Sequence, residues 1–191
     1  MSKNDNKRTF IGFSVPTNHL QGLIDIQQQL TSQLNAAATE VHSTNLHITA
    51  AFLGQTSKAD IQEIDDAISL MSLNCFTQTL ESISYWPKAK ILCIEGVVSI
   101  ELSNIVEQLT QLTKQLNLHQ IQHDYRPHVS LFRHVKIPSS TQTLMNELTI
   151  NTSKMIKLTP INFDITELTL FESKSTPVGV EYLALKSWPL K

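Results

Sequence analysis

Two short segments, Leu46-His47-Ile48-Thr49 and Pro127-His128-Val129-Ser130, constrain this chain more than anything else in it. Each sets a histidine two residues before a hydroxyl side chain inside an apolar run, and the histidines stand 128 − 47 = 81 positions apart. Alternation along a strand sends His47 and Thr49 to one face and Leu46 and Ile48 to the other; His128 and Ser130 follow the same rule. A single His-x-Thr is a weak motif, and one histidine in a strand is ordinarily structural. Two copies on matching elements need a common explanation, because a polar side chain buried without a partner costs roughly 1 to 3 kcal/mol. A shared wet cleft supplies it. Histidine exchanges protons near neutral pH and a neighbouring hydroxyl donates to an anionic oxygen. The two pairs therefore predict a metal-free acid/base site that faces an anion.

The surrounding pattern repeats as well. Arg8 to Val15 reads as a strand closed by Pro16, and Thr17 as the cap of a helix with Leu20, Leu23, Ile24, Leu30 and Leu34 near helical spacing. The strand around His47 stops at Gly54. Ser57 caps a second helix striped by Ile61, Ile64, Ile68 and Met71, and Thr77 to Tyr85 alternates as a strand ended by Trp86-Pro87. A strand over Ile91 to Val98 then precedes a helix carrying Leu102, Ile105, Val106, Leu109, Leu112 and Leu116, and the strand around His128 follows. Phe13 to His47 and Ile94 to His128 both span 34 positions. The helix stripes do not superpose under that shift, so the repeat is architectural. A weak helix over Thr141 to Leu148 and strands over Asn162 to Phe171 and Val180 to Leu185 complete the reading.

With short connections and no Gly-rich phosphate loop, this order predicts an α+β protein of mainly antiparallel sheet. The 191 residues suit a single domain of two tightly joined lobes, roughly 8–85 and 86–191, with exchange of strands between them allowed and residues 1–7 as a loose tail. No apolar run approaches the roughly 20 residues of a membrane span, and the start is polar, as expected of a cytoplasmic protein. Cys75 and Cys93 show neither a Cys-x-x-Cys pattern nor disulfide density and are expected to be free, buried thiols. Fifteen Lys plus Arg against seventeen Asp plus Glu give a net charge of −2. That balance argues against tracking along duplex DNA, which rests on neutralising many phosphates. An RNA end or a small nucleotide needs only a few local donors, and a monomer suffices.

The stretches Asn45 to Gly54 and Arg126 to Arg133 resemble the two signature strands of the two-histidine (2H) phosphoesterases, and most closely those of the RNA 2',3'-cyclic phosphodiesterases, long called 2'-5' RNA ligases. Arg8-Thr9-Phe10 through Pro16, Tyr85-Trp86-Pro87, Leu168 to Ser173, Tyr182 and Trp188-Pro189-Leu190 support the likeness. The resemblance implies a bilobal fold with a pseudo-twofold axis, helices packed outside and an active cleft between the sheets. It implies His128 as the base that activates water and His47 as the acid that protonates the ribose 3' oxygen, leaving a 2'-phosphate, while the near symmetry of the site leaves the opposite assignment of the coupled pair open. Thr49 and Ser130 would hold the non-bridging oxygens, Arg133 the phosphate, and Phe52 a nucleobase. No cofactor is implied.

Two departures stand out. Serine replaces the family's second threonine, which keeps the hydroxyl, and Ile11 falls where some relatives carry an aromatic. Phe52 and Arg133 each lie five positions after their histidine, the wrong parity for one face of a regular strand. They reach the cleft only if the strand bends before them. His19, His42 and His134 read as solvated, and His119, His123 and Asp124 match no recognised metal-ligand spacing with His128. Rival readings keep the site but change the substrate, to a cyclic phosphate of ADP-ribose, a 2'-5' oligoadenylate or a 3' oligouridine, or keep only nucleotide binding. Joining a 2',3'-cyclic end to a 5'-hydroxyl without ATP would be a related reaction.

Overall fold

The computed structural model describes residues 6–119, 124–136, 158–177 and 179–191. The chain is α+β, with antiparallel pairing throughout. In order, it runs β1 (Lys7–Ser14), α1 (Thr17–Thr31), β2 (Thr39–Glu40), a single 3-10 turn (Ser43–Asn45), β3 (His47–Thr56), α2 (Lys58–Ser69), β4 (Phe76–Leu80) and β5 (Ser82–Trp86). There follow β6 (Ile91–Glu95), α3 (Ile100–Gln115), β7 (His128–Arg133), β8 (Ile161–Ile165), β9 (Glu167–Thr176) and β10 (Gly179–Pro189). The helix expected over Thr141 to Leu148 lies outside the described residues.

Local chemistry accounts for most boundaries. Ser57 starts α2 with a reciprocal capping box, its hydroxyl accepting from the Asp60 N–H while the Asp60 carboxylate accepts from the Ser57 N–H. Ser99 caps α3 from one side only, its hydroxyl accepting from the Leu102 N–H. At α1 the cap position belongs to Pro16, with Thr17 already helical and no side-chain cap bond. Part of each expected stripe is buried, Leu23 and Leu30 on α1, Ile64 and Ile68 on α2, and Leu102, Ile105, Leu109 and Leu112 on α3, while α1 buries Ile26 and Gln27 more deeply than the expected Ile24. They cover one face of the sheet and meet Phe13, Ile48, Ile94 and Val129 in a single core.

Eight strands form one sheet, ordered β10-β9-β1-β3-β7-β6-β5, with β2 on the far end of β7; β4 and β8 pair separately. The cleft anticipated between two sheets thus opens on one continuous ladder. Among the described residues, strand pairing joins its two wings at Ile48 and Val129, the single β3–β7 pair. The wings share a register. Gly12, Phe13 and Ser14 face Thr49, Ile48 and His47, while Cys93, Ile94 and Glu95 face Ser130, Val129 and His128, every residue displaced by 81. One irregularity repeats too, while a second slip, between Thr9 and Phe10, belongs to the first wing alone. A slip between Ile11 and Gly12 leaves Ala50 without a partner on β1, and a slip between Leu92 and Cys93 leaves Leu131 without one on β6. Each is a bulge, with one extra residue that reverses which face the following side chains occupy. Ala50 and Ala51 are accordingly both buried, as are Leu131 and Phe132.

Candidate active site

The two bulges resolve the parity conflict. After Ala50 the next cleft-facing residue is Phe52, and after Leu131 it is Arg133, so all six residues expected at the site line one cleft of about 360 Å3. The lining is paired at the same interval: Arg8 with Ala89, Phe10 with Ile91, His47 with His128, Thr49 with Ser130 and Phe52 with Arg133, each pair 81 positions apart. Only Ser173 and Tyr182, contributed by β9 and β10, fall outside that pairing.

Both imidazoles are oriented in one way. His47 Nδ1 donates to the Asn45 carbonyl at 2.7 Å and His128 Nδ1 donates to the Arg126 carbonyl at 2.9 Å. A carbonyl can only accept, so the Nδ1 proton is assigned and Nε2 is left to work in the cleft. The Thr49 hydroxyl lies 2.9 Å from His47 Nε2. Asn45 has a second task, because its side-chain amide donates to the Val180 carbonyl at 2.6 Å and its oxygen accepts from the Tyr182 N–H at 3.1 Å. The residue that aims His47 therefore also holds β10 over the cleft, and Tyr182 accepts a bond from Arg133 Nη2 at 3.0 Å.

The two histidines have different walls. His47 is packed among rings, with Phe10 at 4.7 Å and Tyr182 edge-on at 4.9 Å between centroids, and Phe171 stacks behind Phe10 at 5.0 Å. His128 sits 4.3 Å from Trp86, whose ring carries the Arg126 guanidinium at 4.3 Å. Burial is the largest influence on both and disfavours the imidazolium form. It lowers His47 to about 4; the Asn45 carbonyl opposes this, and the charges of Arg133 and His128 add to it. His128 is also lowered, by burial first, then against the Arg126 carbonyl and the Glu95 carboxylate, which favour its cation, and with Arg126 and Arg133, which do not.

Sequence reasoning missed Arg8, Phe10, Glu95 and Trp86 as neighbours of the site, and it placed the first-strand aromatic one residue late. Ile11 is fully buried in the core; Phe10, before the bulge, faces the cleft. Arg8 and Phe10 alternate on one strand face, which was the available signal. Phe52 takes the Arg8 guanidinium over its ring at 5.1 Å and the edge of His119 at 5.2 Å. His123 lies outside the described residues, and among those described no group of three or more His, Cys, Asp or Glu is placed to hold a metal ion. His42 and His134 are exposed, whereas His19 is half-buried with its ring edge on Phe163 at 5.0 Å. Both cysteines are free, Cys93 buried as expected and Cys75 exposed. No helix among the described residues is long and apolar enough to cross a membrane.

Comparison with known proteins agrees with this geometry. The family model for LigT like Phosphoesterase matches residues 13–93. The RNA 2',3'-cyclic phosphodiesterase of Methanocaldococcus jannaschii is 24% identical over 184 residues, covering 95% of this chain and 99% of the relative. That of Escherichia coli K12 is 26% identical over 168 residues, 81% of each. The crystal structure of E. coli LigT with 3'-AMP superposes with a TM-score of 0.79 at 20% identity, over 97% of this chain and 99% of that one, and the E. coli protein has also been seen with ATP and NADP+. Motif, full-length similarity and fold converge on one likeness: the chain is similar to the LigT-like phosphoesterases along nearly its whole length.

Proposed function

We propose that this protein opens 2',3'-cyclic phosphates at RNA ends to 2'-phosphates, with His47 and His128 as a metal-independent acid/base pair. The observation that carries the reading is the paired lining of the cleft, in which two Nδ1-anchored imidazoles and two hydroxyls stand at equivalent places on the two wings of one sheet. We take these wings as lobes related by a pseudo-twofold. In-line opening needs a base on the side where water attacks phosphorus and an acid on the side where the ribose oxygen leaves. A site doubled about one phosphate supplies both. Thr49 and Ser130 donate to non-bridging oxygens, Arg133 adds a charge-assisted bond, and Phe52 offers a face to a base.

The choice of an anion is supported by where the cations are. The sequence has three arginines, Arg8, Arg126 and Arg133. Two line the cleft, and the third lies on Trp86 beside His128. A nearly neutral chain has thus concentrated its planar, bidentate donors at one place. The nucleotides seen on the E. coli relative fit the same cleft chemistry. A 5'-hydroxyl in the position of water would make the same proton transfers join two ends through a 2'-5' bond.

The test is turnover of an oligoribonucleotide with a 2',3'-cyclic end by chelator-treated protein, with the product mapped by sensitivity to a 3'-specific phosphatase. The expected result is a 2'-phosphate, resistant to that enzyme. His47→Ala and His128→Ala should each lose about 10²- to 10⁴-fold in turnover. Activity that disappears on chelation and returns with a metal, or survives either substitution, would refute the reading.

A further inference from the structure

Besides Arg8 and Arg133, the two wings of the site differ in charge directly beside the histidines. Ser14 faces His47 across β1 and β3, and Glu95, 81 positions later, faces His128 across β6 and β7. Ser14 is exposed, and the rings of Phe10, Tyr182 and Phe171 lie around His47 on that wing. Glu95 is held. Its carboxylate accepts from the Ser84 hydroxyl at 2.6 Å and from Trp86 Nε1 at 3.1 Å, and pairs with Arg126 at 3.5 Å. Trp86 and Arg126 are themselves the ring and the backbone carbonyl that seat His128. Three groups behind one imidazole therefore share a single carboxylate.

We propose that Glu95 is a positioning residue that makes His128 the proton donor of the pair and leaves His47 as the acceptor. This is the reverse of the assignment implied by the family resemblance, and it rests on the hydrolytic reading above. A carboxylate behind an imidazole stabilises its cation, and the geometry gives one histidine that support and the other none. The charged groups facing His128 are Glu95 from β6, Arg126 from the segment before β7, Arg133 from β7 and His47 from β3. Of these only Glu95 favours the imidazolium. In turnover, His47 takes a proton from water as the new P–O bond forms, and His128 gives one to the ribose oxygen as the old P–O bond breaks. Exchange with solvent then resets both rings.

Glu95→Gln, followed by NMR titration of the histidine ring protons and by the pH dependence of turnover, separates the parts. His128 should titrate at lower pH than in the parent, with His47 moved less. At pH values above both titrations, turnover should fall about tenfold for each unit that His128 moves, because the protonated donor becomes rarer. If His47 were the donor, its protonated fraction there would not depend on His128 and turnover would hold. A folded variant with an unmoved His128, or with His128 moved and turnover unchanged, overturns the proposal. Ser14→Glu at the exposed equivalent position is the complementary variant: it should move His47 to higher pH, and an unmoved His47 counts against the proposal even if Glu95→Gln fails to fold. Failure of the hydrolytic reading would look different. The parent would not turn over cyclic ends, while the His128 shift would remain.

Discussion

The aim of Arg133 depends on a side chain from the opposite face of the sheet. Gln27 on α1 is buried, and its amide donates to the carbonyls of Val41 and Leu131, each at 2.9 Å. Leu131 is the extra residue of the β7 bulge, and without that bulge Arg133 would turn away from the cleft. Gln27→Leu removes both bonds while keeping volume close to native. At about 1 kcal/mol net per bond the loss is about 2 kcal/mol. The Leu131 carbonyl keeps the Val41 N–H as a donor at 2.9 Å, so the Val41 carbonyl bears the exposure. If water does not reach it, a stranded buried acceptor brings the total to about 4 kcal/mol.

Urea unfolding measures this directly. The midpoint should drop with little change in slope, and melting should fall by roughly 2 to 4 °C per kcal/mol for a chain of this size. The functional consequence is read with a double-mutant cycle. Gln27→Leu and Arg133→Met should each lower kcat/KM on a cyclic-phosphate end, and the pair should lose less than the sum, because the first substitution acts through the second residue. A stability change below about 0.5 kcal/mol would refute the bonding argument. Additive kinetic losses would refute the link between the bulge and Arg133.

Arg133→Met should also raise the titration of both histidines, since its charge disfavours both imidazolium forms; turnover lost through weaker anion binding would then be accompanied by an alkaline limb displaced to higher pH, and an unmoved limb in that variant would place Arg133 outside the electrostatics of the pair. Gly22→Ala should stabilise the protein by about 0.5 to 1 kcal/mol, because Gly22 sits inside α1 and an added methyl meets nothing within 4 Å; a lowered urea midpoint would contradict that.

How much of this site could be read from the chain follows from how far apart its causes lie in sequence. The histidines and their hydroxyls were legible because alternation over two residues is local, and the interval of 81 carries each of the four β6–β7 pairs onto a β1–β3 pair. Glu95 was not, because its meaning comes from Ser84 and Trp86 across a hairpin and from Arg126 on a different element. The bulges lie between these cases. Strict alternation put Phe52 and Arg133 on the wrong face, and the bonds that hold the second slip come from Gln27 and Val41, far away in sequence. Yet each slip leaves a local trace. Thr49-Ala50-Ala51-Phe52 and Ser130-Leu131-Phe132-Arg133 both place two consecutive buried residues between cleft-facing ones. A regular strand with one wet face cannot do that without either burying a cleft residue or exposing a core one. Two apolar residues in succession at the same offset from both histidines are therefore the sequence mark of the bulge, and they carry the second half of the site back to the face on which the first half begins.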